Sequence, residues 1–307
     1  MRELARGRAG LEERSRHQGA RRREEVIRLL LALAAYLSIL ITGGIVLSLI
    51  GEALPFFERV PVSHFLFGPR WSPLVEPRSF GVLPLLLGTL LVTLVSAAVA
   101  FPLGMGTAFF LSQHASSRWR NVLKPILEVL AGIPTVVYGY FALTFITPLL
   151  QRVLPGTEVF NALSAGIAVG IMVLPMVASL SEDAFSAVSP SILQAAYSLG
   201  ATRYETSRFV LLPAALPGVV AAFLLAFSRA VGETMIVALA AGATPKLTWN
   251  PLESIQTMTG YIVQVSLGDT PAGTVEYQSI FAVGLLLFAF TLFFNYLGLR
   301  VGWRRGR

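Results

Sequence analysis

Two residues of opposite charge stand inside a long apolar stretch of the chain. Arg229 and Glu233 are four positions apart in the segment AFSRAVGETMIVALA, residues 226–240, and on a continuous helix that spacing places both on one face. A guanidinium group presents a planar fork of donors that matches a tetrahedral oxyanion, and it stays charged at any working pH. The spacing therefore predicts either a buried ion pair that fixes a helix or a contact for an anion in transit.

The carboxylate of this pair would discriminate among oxyanions. At neutral pH phosphate still carries a proton that Glu233 could accept, whereas sulfate carries none and would meet unpaired negative charge. Gly232 leaves room for the close approach of a substrate or of another backbone. Together with the flanking Ser228 and Thr234, these residues form the predicted path of a phosphate-like anion.

The elements that must position this path are apolar helices. The chain is 54% hydrophobic and 13% charged, against about 25% charged residues in a soluble domain. Segments of about 20 apolar residues, enough to cross a bilayer, recur along it without the alternation of membrane strands. We predict an all-α, polytopic membrane protein whose membrane domain, residues 29–300, has six transmembrane helices at about 29–51, 82–111, 127–150, 160–181, 210–241 and 278–300.

The basic residues predict the orientation of these helices. With a cytoplasmic N-terminus, eighteen of the 24 Lys and Arg residues fall in cytoplasmic segments and five in external ones, as the positive-inside rule requires. Residues 1–28 and 301–307 are then cytoplasmic tails, and the first lies near anionic lipid. The excess of basic charge is thus explained by a membrane, without nucleic acid. The chain has no cysteine, which excludes disulfides and thiolate metal sites.

Two external segments and one cytoplasmic pair allow narrower predictions. Residues 51–80 are rich in proline and aromatic residues, and their rings either lie at the lipid headgroups or form a docking surface. Residues 255–267 are apolar enough for a short re-entrant or interfacial helix. Glu128 follows Lys124 by four positions, and we expect a surface ion pair between them.

The cytoplasmic loop 189–209 reads as helix, elbow, helix. Ser189 and Pro190 can begin a helix over 192–199, and Gly200 can end it in the left-handed conformation. Thr202 and Glu205 have the spacing of a capping box, so a second helix begins at once. Such a loop is either an amphipathic surface segment or a rigid lever moved by a soluble partner.

The loop is similar to the "EAA" loop of ABC importer permeases. Ala195 and Ala196 are followed by Gly200 and then by Leu212-Pro213, as in that family, whereas Gln194 replaces the usual glutamate. The resemblance implies the type I ABC importer permease fold. It also implies that the loop docks on a separate ATPase, through the residues Gln194, Ala195, Ala196, Gly200, Ala201 and Arg203.

Three further stretches resemble the phosphate-specific transport (Pst) permeases, and among them the PstC type. They are SRAVGETM at 228–235, GIPTVVYG at 132–139, and the segment from Phe80 through Leu90; the tail from Phe281 to Asn295 is also PstC-like. The resemblance implies import of inorganic phosphate across a bacterial inner membrane. The implied partners are a PstA-like permease, two PstB-like ATPases and a periplasmic or extracellular phosphate-binding protein.

Other functions remain open from the residues themselves. The sequence has no glycine-rich phosphate cradle with Lys-Ser or Lys-Thr, so we expect no cofactor on this chain, with ATP and Mg²⁺ on the partner ATPase. A membrane enzyme would need clustered acids or a nucleophile with its base, and a passive anion channel would have no use for the elbow loop. Within the permease class, a PstA-type subunit or a permease for sulfate or molybdate are the alternatives.

Overall fold

The computed structural model describes the backbone of residues 2–303 and the side chains of residues 24–301. The predicted tails, 1–28 and 301–307, therefore lie almost entirely outside the described side chains. The chain divides into two compact units, residues 1–51 and 52–307.

Helices make up nearly all of the regular structure in the described residues. In chain order the α-helices are α1 Arg2–Arg59, α2 Val62–Phe67, α3 Leu83–Gln113, α4 Ser117–Gly132, α5 Thr135–Phe141, α6 Thr147–Val153, α7 Ala162–Ser186, α8 Pro190–Ser198, α9 Arg203–Glu205, α10 Leu212–Val231, α11 Met235–Ala240, α12 Met258–Ser266 and α13 Val275–Trp303. Two π-helical segments, Ala142–Ile146 and Thr206–Leu211, join α5 to α6 and α9 to α10. A short antiparallel hairpin, β1 Trp71–Ser72 and β2 Ser79–Phe80, pairs Trp71 with Phe80.

Six helical stretches of the described chain are long and apolar enough to cross a membrane. They are Glu24–Arg59, Leu83–Gln113, Thr135–Val153, Ala162–Ser186, Arg203–Val231 and Val275–Val301. The predicted all-α class with six membrane helices is thereby confirmed. In the first unit, the apolar side chains between Val26 and Leu47 are mostly exposed, as befits a helix whose solvent is hydrocarbon.

The centre of the second unit is the pair α3 and α7, which run parallel and approach closely through small residues. A Cβ placed on Gly166 would lie 2.6 Å from Val95, and one on Gly104 would lie 2.7 Å from Val177. Only glycine fits at such contacts, and they are the means by which helices pack where lipid supplies no hydrophobic drive. Helix α10 then packs against both α7 and α13.

An aromatic cap lies where α3 begins, formed by Phe56, Phe65, Trp71, Phe80 and Tyr261. These side chains are buried, and the rings of Trp71 and Tyr261 meet edge to face at 4.8 Å. The segment 51–80 therefore packs most of its aromatic residues inside the protein. For these rings the predicted headgroup position is wrong, whereas Phe67 is 73% exposed and the prediction of headgroup contact or partner docking stands for it.

Helix α12 completes the cap and matches the predicted short helix within 255–267. Burial raises the pKa of the Tyr261 phenol, so this group stays protonated and donates to Ser279 Oγ at 2.6 Å, which in turn donates to the Glu276 carbonyl. This chain of hydrogen bonds ties α12 to the start of α13.

Candidate functional site in a cavity beside two broken helices

Two of the apolar helices are interrupted, and the interruptions lie beside each other. Helix α4 ends at Gly132, Ile133 is extended, and α5 begins after Pro134. Helix α10 ends at Val231, and α11 begins after Thr234. Helices α5 and α11 pack so closely that a Cβ on Gly139 would lie 3.1 Å from the Ile236 Cα. Irregular backbone at membrane depth is tolerated where protein buries it or where it lines a cavity.

Side chains satisfy the backbone groups that the two breaks release. Tyr138 Oη donates to the Leu130 carbonyl at 2.7 Å, across the first break. Glu233 Oε1 accepts from the amides of Met235 and Ile236 at 3.1 and 3.4 Å, so the carboxylate caps α11. The Glu233 carbonyl is held in turn by Thr259 Oγ1 at 2.7 Å. Both breaks are thus specified features of the fold.

A cavity of about 360 Å³ opens between α4, α7 and the end of α10. Its wall on α7 is a single helical face, since Met172, Met176, Ser179 and Glu182 recur at helical spacing. We call it the charged cavity, because its lining includes Lys124, Glu128, Glu182 and Arg229. It extends along α7 for ten residues, about 15 Å at the helical rise.

Arg229 lies at one end of the charged cavity. Its Nη2 is 3.5 Å from Met172 Sδ, and no carboxylate of the described residues comes within 4.0 Å of the guanidinium. The predicted sharing of one helical face with Glu233 is wrong, because α10 ends at Val231 and Glu233 belongs to the break. The Arg229 side chain is thus an exposed cation that lines the open space of the cavity.

The other predicted path residues have separate surroundings. Ser228 is buried and its Oγ donates to the Thr291 carbonyl of α13 at 3.3 Å, on another side of α10 from the cavity. Thr234 Oγ1 donates to the Gly232 carbonyl at 3.2 Å, within the break. Gly232 is exposed, and a Cβ there would meet nothing closer than 3.7 Å, so no close approach within this chain demands a glycine.

Sequence reasoning missed an ion pair at the other end of the cavity. Lys124 Nζ lies 3.1 Å from Glu182 Oε1, so the predicted pair of Lys124 with Glu128 is not formed. Glu182 is the first acidic residue after the apolar run of α7, and it is buried. A carboxylate that directly follows a membrane-length apolar run needs a cationic partner if it is buried. The position of Glu182 in the sequence was therefore the signal that could have indicated this pair.

The elbow loop has the predicted form. Helix α8 ends before Gly200, whose φ is +85°, and Thr202 and Glu205 form the complete capping box. The second helix does not stop after α9, because the π segment joins it to α10 as one stretch from Arg203 to Val231. Of the predicted coupling residues, Gln194, Ala195, Gly200 and Arg203 are exposed, and Ala196 and Ala201 are half-buried.

A chain with six membrane-length helices, two broken helices beside a charged cavity, and an elbow loop joined to a membrane helix has the features of the transmembrane permease of an ABC importer. The chain belongs to the family described as binding-protein-dependent transport system inner membrane components, whose pattern matches residues 100–303. The protein is therefore a multi-pass membrane protein and a transport subunit.

Individual relatives agree with this assignment. The probable ABC transporter permease YqgH of Bacillus subtilis is 36% identical over 241 residues, which are 77% of this chain and 78% of that protein. The phosphate transport system permease PstC of Haemophilus influenzae is 31% identical over 279 residues, 85% of this chain and 87% of that protein. The predicted likeness to PstC-type permeases is confirmed.

Solved structures support the fold. A subunit of a bacterial alginate ABC transporter, solved in complex with its alginate-bound periplasmic protein, superposes with a TM-score of 0.62 at 17% identity, over 91% of this chain and 98% of that one. A chain of the MetNI methionine ABC transporter, in an inward-facing conformation, gives a TM-score of 0.56 at 20% identity, over 75% of this chain and 98% of that one.

Proposed function

We propose that this permease translocates inorganic phosphate into the bacterial cytoplasm, as the PstC-like subunit of an ATP-driven importer. Its partners are a PstA-like permease, two PstB-like ATPases that hold ATP and Mg²⁺, and an external phosphate-binding protein. The permease itself holds no cofactor, and both of its termini are cytoplasmic. The likeness to PstC permeases over most of the chain supports phosphate as the substrate.

The observation that carries the proposal is the state of Arg229. A cation at membrane depth is costly and normally faces a water-filled cavity or a fixed partner. Arg229 faces a cavity, and its only described polar contact is a thioether sulfur. Its donors therefore remain available for a passing tetrahedral oxyanion, which a guanidinium binds in a bidentate manner.

The elbow loop supplies the means of coupling. Helix runs without interruption from Arg203 to Val231, a length of roughly 40 Å, and Arg229 lies two residues before its end. A displacement of the elbow by the ATPase is therefore delivered to Arg229 as the movement of one rigid rod. The exposed Tyr197, Leu199 and Tyr204 beside the elbow supply apolar surface for that docking.

The test is phosphate uptake by the complete importer in proteoliposomes carrying Arg229→Gln. We expect uptake to fall about ten- to hundredfold, because hydrogen bonds to a charged donor each contribute about 1.5–3 kcal/mol. Arg229→Lys keeps the charge without the planar fork and should give an intermediate rate. Arg152→Gln, an equal loss of charge at an exposed position in the last turn of α6, serves as the control and should transport normally.

Undiminished uptake by the Arg229→Gln importer would contradict the proposal and return this residue to a structural role. Inhibition of uptake by sulfate or molybdate as effectively as by unlabelled phosphate would replace phosphate with another oxyanion as the substrate.

Glu233 is proposed to contribute to selectivity from within the break. Both described hydrogen bonds to its carboxylate end on Oε1, which leaves Oε2 for the proton of a bound phosphate. Glu233→Gln keeps an oxygen to cap α11 but cannot accept that proton. The importer should then assemble normally yet lose about tenfold of its preference for phosphate over sulfate, and an unchanged preference would confine Glu233 to capping.

A further inference from the structure

The ion pair between Lys124 and Glu182 stands at the end of the charged cavity away from Arg229. Glu182 is 8% exposed, whereas the Lys124 side chain is 46% exposed. The pair therefore has one fixed member, the carboxylate on α7, and one member on a flexible stem that reaches water.

Lys124 and Arg229 are too far apart to hold one small anion together. Met172, which touches Arg229, and Glu182, which touches Lys124, are ten residues apart on α7, or about 15 Å along its axis. The wall between them carries the uncharged side chains of Met176 and Ser179. The cavity thus presents two separate cationic positions joined by one open face.

The two cationic positions differ in the carboxylates that would compete with an incoming anion. No carboxylate is within ion-pair distance of Arg229 in the described part of the chain, whereas Lys124 already has one at 3.1 Å. An anion that reaches Lys124 must displace Glu182, and the freed carboxylate then repels it. Glu128, also on the cavity wall, adds a second negative charge to this end. Such an arrangement binds an anion briefly and weakly.

The geometry points to a second oxyanion site at Lys124, in which Glu182 acts as a built-in competitor that keeps the site weak and releases the anion. This inference rests on the proposed transport of phosphate through the charged cavity, and it names the position that the anion occupies after Arg229. If Lys124 had no carboxylate partner, it would retain the anion. Because Glu182 can replace the anion as the partner of Lys124, the anion can leave.

The test isolates this site by using the assembled importer with Arg229→Gln, purified without nucleotide and without the external binding protein. Inorganic phosphate is the probe, and equilibrium dialysis gives its Kd. Adding Glu182→Gln should lower the Kd about five- to tenfold, because removal of a nearby but partly screened charge frees the ammonium group. Adding Lys124→Gln should raise it, and Lys124→Arg should leave it near the starting value.

A matched control is Glu253→Gln, which removes one carboxylate from the ion pair with Lys246 outside the cavity and should leave the Kd unchanged. Any phosphate bound by the ATPase subunits is common to all variants, so differences among them report the permease.

A purely structural clamp between α4 and α7 gives another pattern. Glu182→Gln and Lys124→Gln would then shift the Kd in the same direction or not at all, and this result would overturn the inference. Absence of binding in all variants up to millimolar phosphate would overturn it too. If Glu182→Gln fails to assemble, equal Kd values for Lys124→Arg and Lys124→Gln would decide against it.

Different results would refute the second oxyanion site at Lys124 and the proposed transport of phosphate. Undiminished uptake with Arg229→Gln alone would refute the proposed function. Uptake that depends on Arg229, together with Kd values insensitive to Lys124 and Glu182, would refute only the second site.

Discussion

The aromatic cap and the charged cavity lie toward opposite ends of the α3–α7 pair, and they are built on opposite principles. In and beside the cap, apolar rings fill the space and the polar groups are tied to one another, as in the path from Tyr261 through Ser279 to Glu276. In the cavity, Arg229 is left with a thioether contact, and Lys124 is only half withdrawn from water. One end of the subunit is a packed core, and the other is the end at which we propose that charged groups exchange partners.

The largest effect on stability is expected from the cap. Trp71→Ala should lower the free energy of unfolding of the purified complex by about 3–5 kcal/mol, the usual cost of removing a buried aromatic side chain. The indole is 2% exposed, and its nitrogen makes no hydrogen bond to a described residue, so packing alone accounts for the loss. Thermal unfolding monitored by tryptophan-independent light scattering measures it.

Trp249→Ala provides the comparison within the same molecule, because this indole is 64% exposed. Its removal should change stability by less than about 0.5 kcal/mol. Equal destabilisation by the two substitutions would show that the cap is not a packed core, and the contrast between the two ends of the subunit would fail.

A smaller effect on stability, with a large one on coupling, is expected at the elbow. Gly200→Ala forces a side chain into the left-handed conformation at φ +85°, at a cost of about 1–2 kcal/mol. Because the elbow is the proposed contact with the ATPase, stimulation of ATP hydrolysis by the phosphate-loaded binding protein should fall well below the wild-type level.

Gly273→Ala is the matched control, since Gly273 has φ +82° and equally open surroundings. The two substitutions should destabilise the complex to a similar degree, and only Gly200→Ala should reduce the stimulated ATPase rate. A reduced rate in both would mean that backbone strain in general, and not the elbow, impairs the importer.

The elbow could be predicted from sequence because its signals are local. A glycine after a short helix and a Thr–Glu pair three residues apart specify their own backbone conformation, whatever surrounds them. The family resemblance and the six spans followed from equally short-range patterns, namely motif spacing and runs of apolar residues.

The cavity could not be predicted in the same way, because its contacts join residues distant in sequence. Lys124 and Glu182 are 58 positions apart, and i,i+4 spacing favoured the wrong partner, Glu128. The spacing of Arg229 and Glu233 likewise assumed an unbroken helix. The carboxylate of Glu233 instead accepts backbone amides beyond the break, an alternative that a hydrophobicity pattern does not contain.

The smallest effect is expected at the exposed cation outside the cavity. Lys246 lies 3.7 Å from Glu158 and 3.6 Å from Glu253, with all three side chains accessible to water. Screened pairs of this kind contribute about 0–1 kcal/mol, so Lys246→Met should leave both thermal stability and phosphate uptake close to wild type. Lys124→Met removes the same charge from the cavity and should slow uptake, because the anion then loses its last cationic contact before release. Equal effects of the two substitutions on uptake would show that Lys124 has no special role in the charged cavity. The functional contrast between the aromatic cap and the charged cavity would then fail.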